Sequence, residues 1–80
     1  MIQEYTMPKS GHLMEEGTIV AWRKKVGDSV KKGEVLLDVE AEKGVFEAEC
    51  PYDGVVKEIL VHEQQTVAVG TVIAKLDVTE

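Results

Sequence analysis

Shifting the 80-residue sequence by 37 positions lays much of it on itself. Gly17 falls on Gly54, Ile19 on Val56, Trp22 on Ile59, Ser29 on Thr66 and Val30 on Val67. Gly33 then meets Gly70, Val35-Leu36 meets Val72-Ile73, and Val39 meets Leu76. Such a repeat constrains a fold more than any single segment does. Two copies this short cannot each enclose a core, so they must share one. Two sheets packed face to face about an approximate two-fold axis achieve this. Glu16-Gly17 and Asp53-Gly54 supply the same acidic-glycine turn in each copy.

The segments between turn signals read as strands. Residues 2–6 alternate loosely and stop before Pro8, and Lys9 to Gly17 reads as a surface loop anchored by Leu13 and Met14. Thr18 to Val26 is rich in β-branched and aromatic residues, as a strand should be. Gly27-Asp28-Ser29, Lys31-Lys32-Gly33, Pro51-Tyr52-Asp53-Gly54 and Glu63-Gln64-Gln65 are turns. Between and after them lie strands at Val35 to Glu40, Val45 to Cys50, Val55 to Val61 and Val72 to Val78. No window sustains helical apolar spacing, so the class is all-β. Strict alternation cannot put Ile19 and Trp22, or Val56 and Ile59, on one face. A β-bulge in each copy would.

Ala41-Glu42-Lys43-Gly44 joins two of these strands and has the composition of a tight turn. Glycine is favoured at the last position of a type I turn, and charged residues suit its central positions. Lys43 is therefore expected at a hairpin tip, pointing into water. Under the shift of 37 it corresponds to Thr6 on one side and Glu80 on the other. Hairpin and chain ends should then occupy opposite poles.

One domain spanning residues 1–80 is expected from the length, and the 44% apolar content can fill its core. No apolar run is long enough for a membrane helix, and no signal segment precedes the first strand. The net charge of −6 disfavours nucleic acid, whose phosphates require clustered Lys and Arg. Arg23-Lys24-Lys25 and Lys31-Lys32 are diluted by fifteen carboxylates. The single Cys50 forms no internal disulfide and fits a reducing compartment: cytoplasm, or an organelle matrix after removal of a transit peptide.

Candidate chemistry is sparse. His12 and His62 lack ligand spacing, so no metal site is expected. Cys50 precedes Pro51 among acidic neighbours, whereas a reactive thiol needs a positive setting. Glu42 beside Lys43 is no acid/base pair, because catalysis needs a desolvated pocket and a hairpin tip is the opposite. No catalytic residues are expected. Lys43 differs from an ordinary surface lysine in three ways. It is the only cation between Lys32 and Lys57, it stands among Glu40, Glu42, Glu47 and Glu49, and it lies at the junction of the two halves.

Several motifs fall in order along nearly the whole chain. They are Met7-Pro8-Lys9, Glu15-Glu16-Gly17-Thr18-Ile19-Val20, Trp22, Val26-Gly27-Asp28-Ser29-Val30, Lys32-Gly33-Glu34-Val35-Leu36, Glu40-Ala41-Glu42-Lys43 and Pro51-Tyr52-Asp53-Gly54-Val55-Val56. Together they resemble a lipoyl domain of the biotinyl/lipoyl-attachment family. The resemblance implies a flattened sandwich of two four-stranded antiparallel sheets, with lipoate amide-linked to Lys43 and Glu42 and Gly44 forming its turn. Lipoyl domains commonly carry Asp-Lys-Ala there, and Gly-Asp where this chain has Gln64-Gln65. Biotin carriers typically flank their lysine with methionines, and none stands near Lys43.

By the same resemblance the domain is a swinging-arm carrier within a dihydrolipoamide acyltransferase. A lipoate ligase or lipoyl transferase would load it. A thiamine-dependent 2-oxo acid dehydrogenase, the acyltransferase core and dihydrolipoyl dehydrogenase would use it in turn, and Lys9 to Glu16 would add a recognition surface. The isolated domain is expected to be monomeric and to do no chemistry itself. The missing Ala/Pro-rich linker suggests an excised piece of a longer protein. Two other roles exist on this fold, an unmodified interaction module and the longer hydrogen carrier of glycine cleavage.

Overall fold

The computed structural model describes residues 1–11 and 13–79, and His12 and Glu80 lie outside the described residues. Among the described residues there are eight strands: β1 (Ile2–Thr6), β2 (Glu16–Trp22), β3 (Ser29–Val30), β4 (Val35–Ala41), β5 (Gly44–Glu49), β6 (Gly54–Ile59), β7 (Thr66–Ala68) and β8 (Val72–Val78). They form two four-stranded sheets ordered β1-β8-β6-β3 and β5-β4-β2-β7, with antiparallel pairing throughout. The all-β sandwich expected from the repeat is the observed architecture.

The pseudo-symmetry extends to register. Ile19 pairs with Val39 and Trp22 with Leu37, while their counterparts Val56 and Ile59 pair with Leu76 and Ala74. The β2–β4 ladder slips between Ile19 and Ala21, and β6–β8 slips between Val56 and Glu58. These are the two bulges the spacing requires, and they bring Trp22 and Ile59 to the core. The core itself is drawn from both sheets, with Ile19, Leu36, Leu37 and Val39 facing Val56, Ile73, Ala74 and Leu76.

Several sequence expectations need correction. Strand β2 stops at Trp22 and does not run to Val26. The Asp28 carboxylate accepts from the amide of Lys25, and the amide of Asp28 returns a bond to the Lys25 carbonyl, closing a turn that leaves Val26 exposed. Gly17 and Gly54 are strand residues and not turn residues. Each is glycine because of close approach: a Cβ on Gly54 would strike the carbonyl oxygen of Asp77, and one on Gly17 would lie 2.7 Å from Cγ1 of Val39. Leu13 does not anchor its loop; it is 84% exposed, and Met14 alone packs on the core.

Turn chemistry is also repeated. Gly27 adopts φ 95° and its counterpart Gln64 adopts φ 73°. Their amides donate to the carbonyls of Val56 and Ile19 respectively. Asp28 and Gln65 then cap equivalent turns, accepting from the amides of Lys25 and His62. Gln64-Gln65 thus builds the same turn as Gly27-Asp28, with a non-glycine residue in the left-handed region.

The chain ends meet as the repeat suggests. The amide of Val78 donates to the Met1 carbonyl, and the Met1 amino group donates back to Val78 and contacts Asp77. This junction matches the Ala41–Gly44 pair of the hairpin. Thr6 is no counterpart of Lys43, because it pairs with Val72 at the other end of β1. Strand β5 leaves the hairpin at Gly44, and its continuation reaches Asp53, whose carbonyl accepts from Thr79 beside the chain ends. Six residues of β5 at about 3.3 Å each span roughly 20 Å, so tip and ends lie at opposite poles of a body 34 Å long.

A left-handed φ costs an L-residue about 1–2 kcal/mol, partly offset by glycine's greater unfolded entropy. Gln64→Gly should therefore raise unfolding stability by about 0.5–1 kcal/mol, read as a higher urea midpoint at unchanged slope. Buried Tyr5 donates its hydroxyl to the Glu49 carbonyl at 3.1 Å, and burial pushes its pKa from 10.0 to about 12. Between those values the unfolded chain loses the proton that the folded chain keeps, so stability is full below pH 10.0 and is lost as pH rises to about 12. Tyr5→Phe should remove that part of the alkaline decline while costing about 1 kcal/mol at neutral pH, both measured by urea unfolding across the pH range.

Candidate functional site

Strands β4 and β5 form a hairpin in which Ala41 pairs with Gly44, leaving Glu42 and Lys43 as the whole loop. Two-residue hairpin loops usually need positive φ at a central residue so that the turn follows strand twist. Here Gln64 is the only described non-glycine residue with positive φ, so Glu42 and Lys43 both keep negative values. That agrees with the type I reading. The twist is absorbed by the next residue, Gly44, at φ 138°. No atom lies within 4 Å of where its Cβ would be, so glycine is needed there for conformation and not for space.

Lys43 is exposed, and among the described residues it takes part in no ion pair. The four carboxylates that neighbour it in sequence do not form a ring about it. Glu40 and Glu42 lie at the tip. Glu47 sits opposite Asp38, farther down the ladder, and Glu49 lies opposite Val35 at the strand's far end. Their places are taken by Glu15 and Glu16, which share a groove with Lys43. That groove, about 1070 Å³, runs between the β1–β2 connection and the hairpin. Leu13, Met14 and Ala41 give it apolar wall, and Ser10 also lines a smaller hollow under Lys43 and Gly44. Sequence separation hides this approach of residues 10, 11 and 13–16 to Lys43. The signal for it is that β1, starting at the opposite pole, must deliver its C-terminal end here.

The other candidates fall away. Cys50 is buried in the core, and its thiol donates to the Tyr52 carbonyl at 3.1 Å. Burial pushes its pKa up, and the charges of Asp53 and Glu34 add to that, so it has the opposite of a reactive thiol's surroundings. His62 is exposed, and no group of three or more potential metal ligands occurs among the described residues. No described helix is long and apolar enough to cross a membrane. The geometry therefore offers one chemical handle: a primary amine on a stiff two-residue tip.

Residues 3–76 match the biotin/lipoyl family model, described as biotin-requiring enzyme. The chain is 39% identical over 77 residues to the dihydrolipoyllysine-residue acetyltransferase component of the pyruvate dehydrogenase complex from Staphylococcus aureus, covering 96% of this chain. The same component from Staphylococcus epidermidis is 40% identical over 77 residues. The chain spans 18% of the length of these relatives. Its fold is similar to the solution structure of the lipoyl domain of the 2-oxoglutarate dehydrogenase complex from Azotobacter vinelandii. That likeness has a TM-score of 0.75 and 35% identity, over 92% of this chain and 94% of that one. The shared eight-stranded sandwich, the match along nearly all of the sequence and the exposed lysine hairpin have one common explanation: the chain belongs to the biotin/lipoyl-attachment family and is a lipoyl domain.

Proposed function

We propose that residues 1–80 act as one lipoyl carrier domain whose attachment point is the Nζ of Lys43. The observation that carries this is the placement of Lys43 in a two-residue turn at the pole opposite the chain ends. A domain tethered by its ends presents that amine farthest from the tether. Its neighbours leave the amine accessible, since no described carboxylate pairs with it. Glu42 and Gly44 hold the turn, and β4, whose Leu36, Leu37 and Val39 are fully buried, fixes the turn to the core.

When bound, lipoate would supply a dithiolane able to take up acyl groups and electrons, which no side chain here can do. The chain's own contribution is position. Amide formation removes the Lys43 charge, and the tip then carries a neutral arm among Glu15, Glu16, Glu40 and Glu42. A tethered arm sees each partner site at roughly millimolar effective concentration when the span suits the linker. In this reading the domain belongs to a dihydrolipoamide acyltransferase. It visits a thiamine-dependent 2-oxo acid dehydrogenase, the acyltransferase core and dihydrolipoyl dehydrogenase, after loading by a lipoate ligase or lipoyl transferase. It works as a monomeric unit in cytoplasm or an organelle matrix.

The family's biotin-requiring members motivate a second reading, biotin on the same lysine. Both are tested together. Expressed with lipoate and a lipoate ligase, the chain should gain the mass of one lipoyl group, located on the peptide containing Lys43. Lys43→Arg should gain none. No gain on the parent chain, or a gain that survives Lys43→Arg, would overturn the assignment. A streptavidin-reactive band from cells supplied with biotin would favour the second reading.

A further inference from the structure

The two halves of the molecule are not quite equivalent, and the difference falls beside Lys43. Strands β2, β3 and β4 correspond to β6, β7 and β8 under the shift of 37. Through their partners in β8 and β4, however, Ile2 is equivalent to Val45 and Tyr5 to Ala48, a shift of 43. Met7-Pro8 thereby matches Cys50-Pro51. The backbone agrees: Gly70 donates to the Met7 carbonyl as Gly33 donates to that of Cys50. The shift of 43 against 37 leaves six additional residues between Pro8 and Glu16. Where the other half needs only Tyr52 and Asp53 to reach its next strand, this half makes a longer excursion past the hairpin.

Ser10, Gly11, Leu13, Met14 and Glu15 of this excursion line the groove together with Lys43. Met14 is its fixed part. It packs on the core, and its thioether accepts from the Ser10 amide at 3.3 Å. Leu13, in the same groove wall, is 84% exposed and is not among the described residues that pack on the core. Ala41 and Lys43 line the same groove from the hairpin. An apolar side chain displayed this way on a symmetry-breaking insertion invites an apolar occupant, and the nearest attachment point for one lies in the groove itself.

We propose that this groove is a resting seat for the end of the arm carried by Lys43, with Leu13 and Met14 covering its dithiolane ring between visits to partners. This rests on the reading of Lys43 as the lipoyl attachment point. The seat is reached intramolecularly, at an effective concentration of roughly millimolar. A contact of only millimolar intrinsic affinity is then occupied about half the time, enough to shield the ring and too weak to hold it from a partner. The surrounding Glu15, Glu16, Glu40 and Glu42 repel anions and so favour a neutral occupant.

The test uses the full 80-residue chain, lipoylated and confirmed by intact mass, with isotope-labelled Leu and Met methyl groups. Nuclear Overhauser contacts should appear between the ring protons and the methyls of Leu13 and Met14. The contacts to the Met14 methyl should vanish in Leu13→Ser, a change at an exposed position that leaves the amide spectrum of the sandwich intact. Reduction of the ring by a soluble phosphine should run about two-fold slower in the parent chain than in Leu13→Ser, matching half occupancy. A chain that fails to gain the lipoyl mass defeats the attachment reading. A chain that gains it but shows no ring-to-methyl contacts, contacts unaffected by Leu13→Ser, or equal reduction rates defeats the seat alone.

Discussion

Ile19, Leu36, Leu37 and Val39 from one sheet and Val56, Ile73, Ala74 and Leu76 from the other are all at most 1% exposed, and each set is the repeat image of the other. Everything else depends on that shared interior. A single sheet with one apolar face has nothing to bury it against, so neither copy is a folding unit. The bulges at Val20 and Lys57 belong to the same requirement. Without them Trp22 and Ile59 would turn outward. With them, Trp22 reaches the core and its indole donates to the Val61 carbonyl at 3.0 Å, tying the end of β2 to the turn before β7.

The outer faces of the two sheets differ where the inner faces agree. In one sheet Lys75 stands opposite Glu4 on one side and Glu58 on the other, so its charges are locally balanced. At the equivalent place in the other sheet Asp38 stands opposite Glu47 and Ala21. Like charges directly opposite are unfavourable. Arg23, at 3.0 Å from one Asp38 oxygen, relieves this in part, while the other oxygen is buried without a partner. The sheet that carries the lysine hairpin is thus the more acidic one, and its surface is held at some cost to local stability.

Much of this architecture is readable in the residues themselves. The repeat foretells two sheets, a common core, both bulges and a hairpin opposite the chain ends, because pairs such as Val39 and Leu76 arise from the need to bury one face. Strands β3 and β7 are not readable, since two or three residues have no period to detect. The end of β2 is misplaced because the β-branched Val26 draws the strand reading past Trp22, whereas the Asp28 carboxylate holds the Lys25 amide in a turn. At the candidate site, the exposed turn with Lys43 can be read directly, yet most exposed lysines have no role. It is the ordered family motifs that set this one apart. The meeting of Glu15, Glu16 and Leu13 with Lys43 is hidden, because it depends on where β1 ends in space.

The hairpin's economy bears on how such a tip can search. Ala41 and Gly44 are the last rung of the ladder, and only Glu42 and Lys43 lie beyond it. No intermediate length of floppy backbone separates the amine from the sheet. Displacement of a group attached there divides into two regimes: rotations about side-chain bonds, on picosecond to nanosecond scales, and movement of the whole body on whatever tether holds it. Slow loop rearrangement, which lies between these and often limits turnover elsewhere, has no structural substrate at this tip. For a carrier, reach and timing would thereby be decoupled: an arm would set one and a tether the other, from an origin that the sandwich holds fixed.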